Sequence, residues 1–198
     1  NARLEIFDIP VIYFPKFFHP DPTVERQSGF LTPSVSATNS NSYLKLPYFF
    51  EISDSSDFTF SPRFYDEQKN IFQGEYRLLT KNSTHIFDSS IQSGDFLIPS
   101  NGSRTHFFSK SSLKTEFDYF NFSEVNLELQ TTSNENYLKY NNLSSPIINS
   151  QTTLTSKLDF NASSDDLEIL ISGEAYENLS KKNDSDKYEF VLPNLNIT

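Results

Sequence analysis

Cysteine is absent from the chain, which excludes both a disulfide framework and a thiolate metal site. Tryptophan is absent too, so the aromatic content comes from 20 phenylalanines and 10 tyrosines. Glycine is scarce, at 5 of 198 residues, and no G-x-S-x-G elbow or phosphate-cradling glycine loop occurs. No stretch reaches the roughly 18 consecutive apolar residues that a membrane helix needs. The three histidines, His19, His85 and His106, stand far apart without metal-ligand spacing and read as surface residues. Asp165-Asp166 and the pair Asp184 and Asp186 lack the rest of a calcium loop. N-x-S/T triplets at Asn82, Asn101 and Asn121 are what an Asn- and Ser-rich chain gives by chance. No metal, no cofactor and no catalytic constellation is expected, so the chain does not read as an enzyme. It opens on Asn1 with no signal peptide, and a mature chain or a fragment is expected.

What is present points to strands. Only 36% of residues are hydrophobic, yet 15% are aromatic. Phe, Tyr and Thr suit a pleated sheet, whereas the abundant Asn and Ser suit turns. With 16 basic and 26 acidic residues the formal net charge is −10, which disfavours binding nucleic acid through its phosphates. The same charge suits a polar lumen or a surface for divalent cations, and equally plain solubility.

From Ser28 onward apolar and polar residues alternate. Leu31, Pro33, Val35 and Ala37 alternate with Thr32, Ser34 and Ser36. Leu44, Leu46, Tyr48, Phe50 and Ile52 share a parity, as do Phe58, Phe60, Pro62 and Phe64, and then Phe72, Gly74, Tyr76 and Leu78. Val125, Leu127 and Leu129 repeat the pattern, followed by Leu154, Leu158 and Phe160 and by Leu167, Ile169, Ile171, Gly173 and Ala175. Period-2 alternation means half-buried strands. The separators, such as Asp54-Ser55-Ser56 and Lys81-Asn82-Ser83, are turn material, so neighbouring runs read as hairpins. No sustained helical periodicity is present. Residues 1–27 differ. Leu4 to Ile9 alternates like a strand, and then Pro10, Pro15, Pro20 and Pro22 punctuate the aromatic pairs Tyr13-Phe14 and Phe17-Phe18. Proline cannot donate to a ladder, so a last strand and an extended connector are expected here.

Two architectures fit this pattern. A soluble sandwich, of the carbohydrate-binding or adhesin kind, turns its apolar faces inward. A membrane barrel turns them toward lipid and its charged faces into a lumen. Several runs approach the roughly 9–11 residues that a membrane strand needs, and their Phe and Tyr suit the lipid interface.

The order of short motifs then becomes specific. Ile9-Pro10-Val11-Ile12-Tyr13-Phe14-Pro15 is followed by Arg26-Gln27-Ser28-Gly29-Phe30-Leu31-Thr32-Pro33 and by Leu46-Pro47-Tyr48-Phe49-Phe50. Next come Ser56-Asp57-Phe58-Thr59-Phe60-Ser61-Pro62 and Gly74-Glu75-Tyr76-Arg77-Leu78-Leu79. In that order and spacing they resemble the LptD (OstA) family of LPS-assembly proteins, where the periplasmic domain hands over to the barrel. Asn136-Tyr137-Leu138 and Tyr188 to Leu195 resemble further family elements; between about 85 and 180 the likeness thins to general character. The family is much longer than this chain. Some members tie the two domains with cysteines, and none is present here.

The resemblance implies an all-β chain, an antiparallel meander of hairpins forming part of a large outer-membrane β-barrel. Residues 1–27 would be the end of the periplasmic jellyroll and its connector, and 28–198 the first strands of an incomplete barrel. It implies a Gram-negative translocon that inserts lipopolysaccharide into the outer leaflet, with the lipoprotein LptE as plug and an LptA-type periplasmic bridge. The lateral opening would lie between the first and last strands. A generic porin or receptor barrel is the alternative within the membrane.

Within that frame Pro33 and Pro47 are candidates for a loosened gate, because proline removes a ladder bond; without the resemblance they read rather as bulges or as residues facing outward at a strand end. Tyr13, Phe14, Phe17 and Phe18 are candidates for an acyl-chain path, or for packing on the jellyroll. Asp57, Arg63, Glu75 and Arg77 are lumen candidates, either touching sugars and phosphates or pairing with one another as a lattice.

Overall fold

A computed structural model of the chain describes residues 2–6, 9–14, 26–37, 42–66, 69–93, 102–181 and 184–198. Strands β1 (Ala2–Ile6) and β2 (Ile9–Phe14) form a two-stranded antiparallel sheet of their own. Leu4 faces Ile12 and Glu5 faces Pro10, so the register slips at Val11. A residue without an N–H is tolerated beside such a slip and on an edge strand, and in a two-stranded sheet both strands are edges. Ile9–Phe14, expected as an extended connector, is therefore a paired strand. Phe17 and Phe18 lie outside the described residues.

The remaining strands make one 12-stranded antiparallel meander. They are β3 (Gly29–Phe30), β4 (Ser34–Ser36), β5 (Tyr43–Lys45), β6 (Tyr48–Ser53), β7 (Ser56–Tyr65), β8 (Asn70–Leu79) and β9 (Ser83–Ser93). After these come β10 (Arg104–Lys114), β11 (Phe122–Thr132), β12 (Thr153–Ser163), β13 (Glu168–Asn178) and β14 (Tyr188–Ile197). β3 and β4 lie end to end as halves of one strand, and β6 and β5 as halves of the next; both of the latter pair with the unbroken β7. From β7 onward each strand is 10 or 11 residues long, the length that carries a tilted strand across a bilayer. Among the described residues β14 does not pair with β3 or β4, so the sheet is open.

The chain reverses at alternate ends of this sheet. The strand ends that flank 54–55, 80–82, 115–121 and 164–167 lie at the near end, where β3 begins; the paired ends of β4 and β5, β7 and β8, β9 and β10, β11 and β12, and β13 and β14 lie at the far end. Short turns at one end and longer connections at the other are usual in outer-membrane barrels.

Register assigns the faces. Asp57 faces Arg77, Glu75 faces Asp88, Ser90 faces His106, and Lys157 faces Glu174, all on one side. Phe60 faces Gly74, Tyr76 faces Phe87, and Phe160 faces Ile171 on the other. The sheet is inside-out: Asp57, Arg63, Gln73, Asp88 and His106 are buried, whereas Phe64, Phe107, Leu129, Leu158 and Ile171 are exposed. A sandwich would bury the apolar set, and no second sheet covers it among the described residues.

Burial of the polar face has a local cause. After β11 the chain forms the short helix α1 (Tyr137–Tyr140) and continues through Leu143 and Ile147. This segment lies on the polar face, and its Tyr137, Leu138, Leu143 and Ile147 pack with Tyr65, Ile71, Phe108, Leu154 and Leu179 into the one buried apolar cluster described. A second short helix, α2 (Asp184–Lys187), brings Lys187 to Glu177 at 3.1 Å and Glu135 at 3.4 Å. Those two carboxylates raise the Lys187 ammonium above the usual lysine value.

Candidate functional site

Pro33 and Pro47 stand where their strands break. Between Phe30, which faces Tyr48, and Ser34, which faces Lys45, the first strand has three residues and the second has two. The first strand therefore bulges at Leu31, Thr32 and Pro33. At this level the Leu31 N–H donates to the Pro47 carbonyl at 2.9 Å. A closely bonded antiparallel pair normally exchanges two such bonds, but Pro47 has no N–H to return. The next seam repeats the defect, because Leu46 N–H donates to the Pro62 carbonyl at 3.1 Å and Pro62 likewise returns nothing. The first two strands share only five residue pairs, against eleven between β12 and β13. Pro62 was absent from the expected site. Its alternation with Ser61 and Arg63 looked ordinary, and only the direction of the hydrogen bonds exposes it.

Three of the four lumen candidates come together. Arg77 Nε donates to Asp57 Oδ1 at 2.8 Å and lies 3.5 Å from Glu75 Oε1. Arg26, not foreseen, reaches the other oxygen of Asp57 from across the first strands. Asp57 is thus buried between two guanidiniums, the arrangement that satisfies a desolvated carboxylate. Arg63 stands apart. Its guanidinium donates to the Asn141 carbonyl at 2.5 Å and to Tyr65 Oη at 3.3 Å, and it lies 4.7 Å over the Tyr43 ring. It anchors the segment that folds over the sheet.

That segment rests on a second buried network that sequence reasoning missed. Gln73 Nε2 donates to both oxygens of Asp88, at 3.0 and 3.1 Å, and lies 3.0 Å from the Ser144 carbonyl. Ser90 Oγ lies 2.6 Å from His106 Nδ1 and 2.7 Å from Tyr137 Oη. His106 Nε2 approaches Asp88 at 3.4 Å without a hydrogen bond. His106, expected at the surface, is buried and stacks on Phe108 at 4.4 Å. His85 is half-buried between the hydroxyls of Ser83 and Ser111, and His19 lies outside the described residues. Burial pushes the Tyr137 phenol up to about 12. The Ser90, His106 and Asp88 grouping serves as a strut: Tyr137 covers the serine, and all three side chains are shut from solvent. Tyr13 and Phe14 occupy β2; only their backbone is described.

Residues 1–84 match the family model described as LptD protein. That stretch is similar to LptD proteins. Among curated relatives, the LPS-assembly protein LptD of Pseudomonas savastanoi pv. phaseolicola is 39% identical over 88 residues, covering 44% of this chain and 9% of that protein. The LPS-assembly protein LptD of Pseudomonas aeruginosa is 37% identical over 91 residues, 46% of this chain and 10% of the relative. That of Idiomarina loihiensis is 36% identical over 89 residues, 44% and 12%. The chain thus spans about a tenth of the length of the curated relatives it matches. The LptD match takes in the β1–β2 hairpin, both broken strands, β7 and β8, and with them Pro33, Pro47, Asp57, Arg63, Glu75 and Arg77. Beyond residue 84 the same sheet continues strand by strand with unbroken pairing from β8 through β12.

Proposed function

We propose that this chain forms the opening stretch of the barrel wall of an outer-membrane translocon that delivers lipopolysaccharide to the outer leaflet. The inside-out sheet carries the reading: a face of exposed Phe, Leu and Ile is stable against lipid, and a face of paired charges suits a wet lumen. The LptD match over the first strands supplies the cargo. In this reading the polar face passes the sugar portion, the acyl chains leave sideways past the proline-weakened strands, and no covalent bond changes, so the protein is a transporter. Residues 1–27 belong to the periplasmic side and would receive lipid from an LptA-type bridge. LptE, as plug, would meet the polar face.

Asp57, Glu75 and Arg77, with Arg26, act as a lattice that keeps the wall rigid beside the weak strands. Pro33 and Pro47 loosen the seam, and Tyr13, Phe14, Phe17 and Phe18 line the approach. The test is photocrosslinking of the full-length protein in cells, with probes at Pro33 and separately at Phe14, followed by blotting for lipopolysaccharide. Adducts at both positions are expected. Their absence from a protein correctly inserted in the outer membrane leaves a generic barrel as the better reading.

A further inference from the structure

The three prolines form a line across the strands. Pro33 lies in the bulge of the first strand, Pro47 in the break of the second, and Pro62 faces Leu46 at the same level of the third. Both one-sided pairs, Leu31 with Pro47 and Leu46 with Pro62, sit on this line. A weakness that runs along a seam lets whole strands part. One that runs across strands lets the halves on either side of it move separately.

The two halves are held differently. On the near side, Glu51 N–H donates to Ser28 Oγ at 2.8 Å, and β6 keeps five pairs with β7. Phe30, Tyr48, Phe50 and Phe58 form a continuous run of ring contacts there, with centroids 4.9, 4.5 and 6.0 Å apart. On the far side, β4 and β5 share three pairs, and β5 and β7 share three more. The apolar faces of these pairs carry no comparable ring ladder: Leu44 faces Val35 and Phe64. Beyond these ladder pairs and the Asp66 N–H that donates to the Ser42 carbonyl at 3.2 Å, the far half is held on the polar side, where Tyr43 lies 5.4 Å from the Tyr65 ring and under the Arg63 guanidinium.

We propose that β4 and β5 turn together as a flap about the line through Pro33, Pro47 and Pro62, while β3 and β6 stay closed. This rests on the reading of the chain as the wall of a transport barrel. It adds that the opening is confined to the end carrying the long connections, which is the outer-leaflet end of such a barrel. Arg63 then has two roles, because one guanidinium holds both the Tyr43 ring of the flap and the Asn141 carbonyl of the covering segment. Movement of either changes the hold on the other.

Hydrogen exchange on the purified full-length protein tests the flap without reference to cargo. Leu44 and Phe50 occupy equivalent closely bonded positions against β7, one on each side of the line. The Leu44 amide should exchange about tenfold or more faster than that of Phe50 after correction for intrinsic rates, and the double variant Pro47→Ala, Pro62→Ala should narrow the gap about fivefold or more by restoring two donors. Equal rates overturn the flap. The second arm locks each half with a disulfide in cells, Leu44→Cys with Phe64→Cys for the flap and Phe50→Cys with Phe58→Cys for the near half, with single-cysteine variants as controls. The oxidised flap lock should cut surface lipopolysaccharide at least about fivefold, reversed by reductant, and the near lock should leave it within about twofold, since only the flap moves. Loss of display with both locks overturns the flap. Display unchanged by the flap lock overturns the flap as the opening even if Leu44 exchanges fast, whereas missing lipopolysaccharide adducts at Pro33 and Phe14 refute the lipopolysaccharide reading itself.

Discussion

Replacing Tyr137 by phenylalanine and, separately, by alanine measures how firmly the covering segment is bound to the polar face. Tyr137 is fully buried at 0% exposure, and its hydroxyl meets Ser90 Oγ at 2.7 Å. In Tyr137→Phe the ring stays, and Ser90 keeps its contact with His106 at 2.6 Å. One hydrogen bond is lost and no buried group is orphaned, at a cost of about 1 kcal/mol. In Tyr137→Ala the ring goes too, leaving a cavity against Phe108, Leu138 and Leu143. Deleting a buried aromatic costs about 3–5 kcal/mol. The Leu143 N–H, which donates to the Leu138 carbonyl at 3.0 Å, reports on opening of the segment. At about 1.4 kcal/mol per decade, its exchange should speed up less than tenfold in Tyr137→Phe and by about two to three and a half decades in Tyr137→Ala. Hydrogen exchange read by mass spectrometry on the full-length protein gives both values. If the two variants differ by less than tenfold, the segment does not depend on ring packing and the account of the core is wrong.

The pair Pro33→Ala and Pro47→Ala should tighten the first seam, since an alanine in place of Pro47 would return the missing bond to Leu31; surface display of lipopolysaccharide should fall, and unchanged export would sink the gate reading. At Gly74 an added Cβ would come within 2.8 Å of Phe58 Cε2 and 2.9 Å of Cζ, so Gly74→Ala must swing that ring away. At Gly173 nothing lies within 4 Å, so Gly173→Ala should be neutral or stabilising by about 0.5 kcal/mol; heat-modifiability on gels should rank Gly74→Ala well below Gly173→Ala, and the reverse order would refute the packing of Phe58 on Gly74. The Tyr137 phenol, raised from 10.0 to about 12, keeps its proton in the folded state while the unfolded chain loses it. Stability should therefore fall as pH rises from about 10 toward 12, and Tyr137→Phe should remove that part of the decline in alkaline unfolding curves.

Legibility in the sequence followed contrast between the two faces. β7 and β8 were plain because Phe58, Phe60, Phe64 and Phe72 alternate with Asp57, Arg63, Gln73 and Glu75. β9 and β10 were not singled out, because Ser89, Ser109 and Ser111 stand at apolar-face positions and Ile86 and Phe108 at polar-face ones. The covering segment was opaque for another reason. Tyr137, Leu138, Leu143 and Ile147 follow no period, and they are buried against Tyr65, Ile71, Phe108, Leu154 and Leu179, which come from both earlier and later in the chain. The ion cluster was half visible: alternation put Asp57, Glu75 and Arg77 on one side, but Arg26 arrives from 31 residues away, a distance no local pattern encodes.

The prolines show where such reading must stop. Residue type alone says that each removes a donor, and nothing about which neighbour loses a bond. In an antiparallel strand the N–H and C=O of one residue point to the same neighbour. The observed acceptance by Pro47 from Leu31, and by Pro62 from Leu46, therefore fixes the missing donors on successive seams. Had both faced one seam, that seam alone would be weak and the strands would part along their length. Because they face successive seams at one level, beside the bulge at Pro33, the weakness crosses the strands and divides the edge of the wall into two halves.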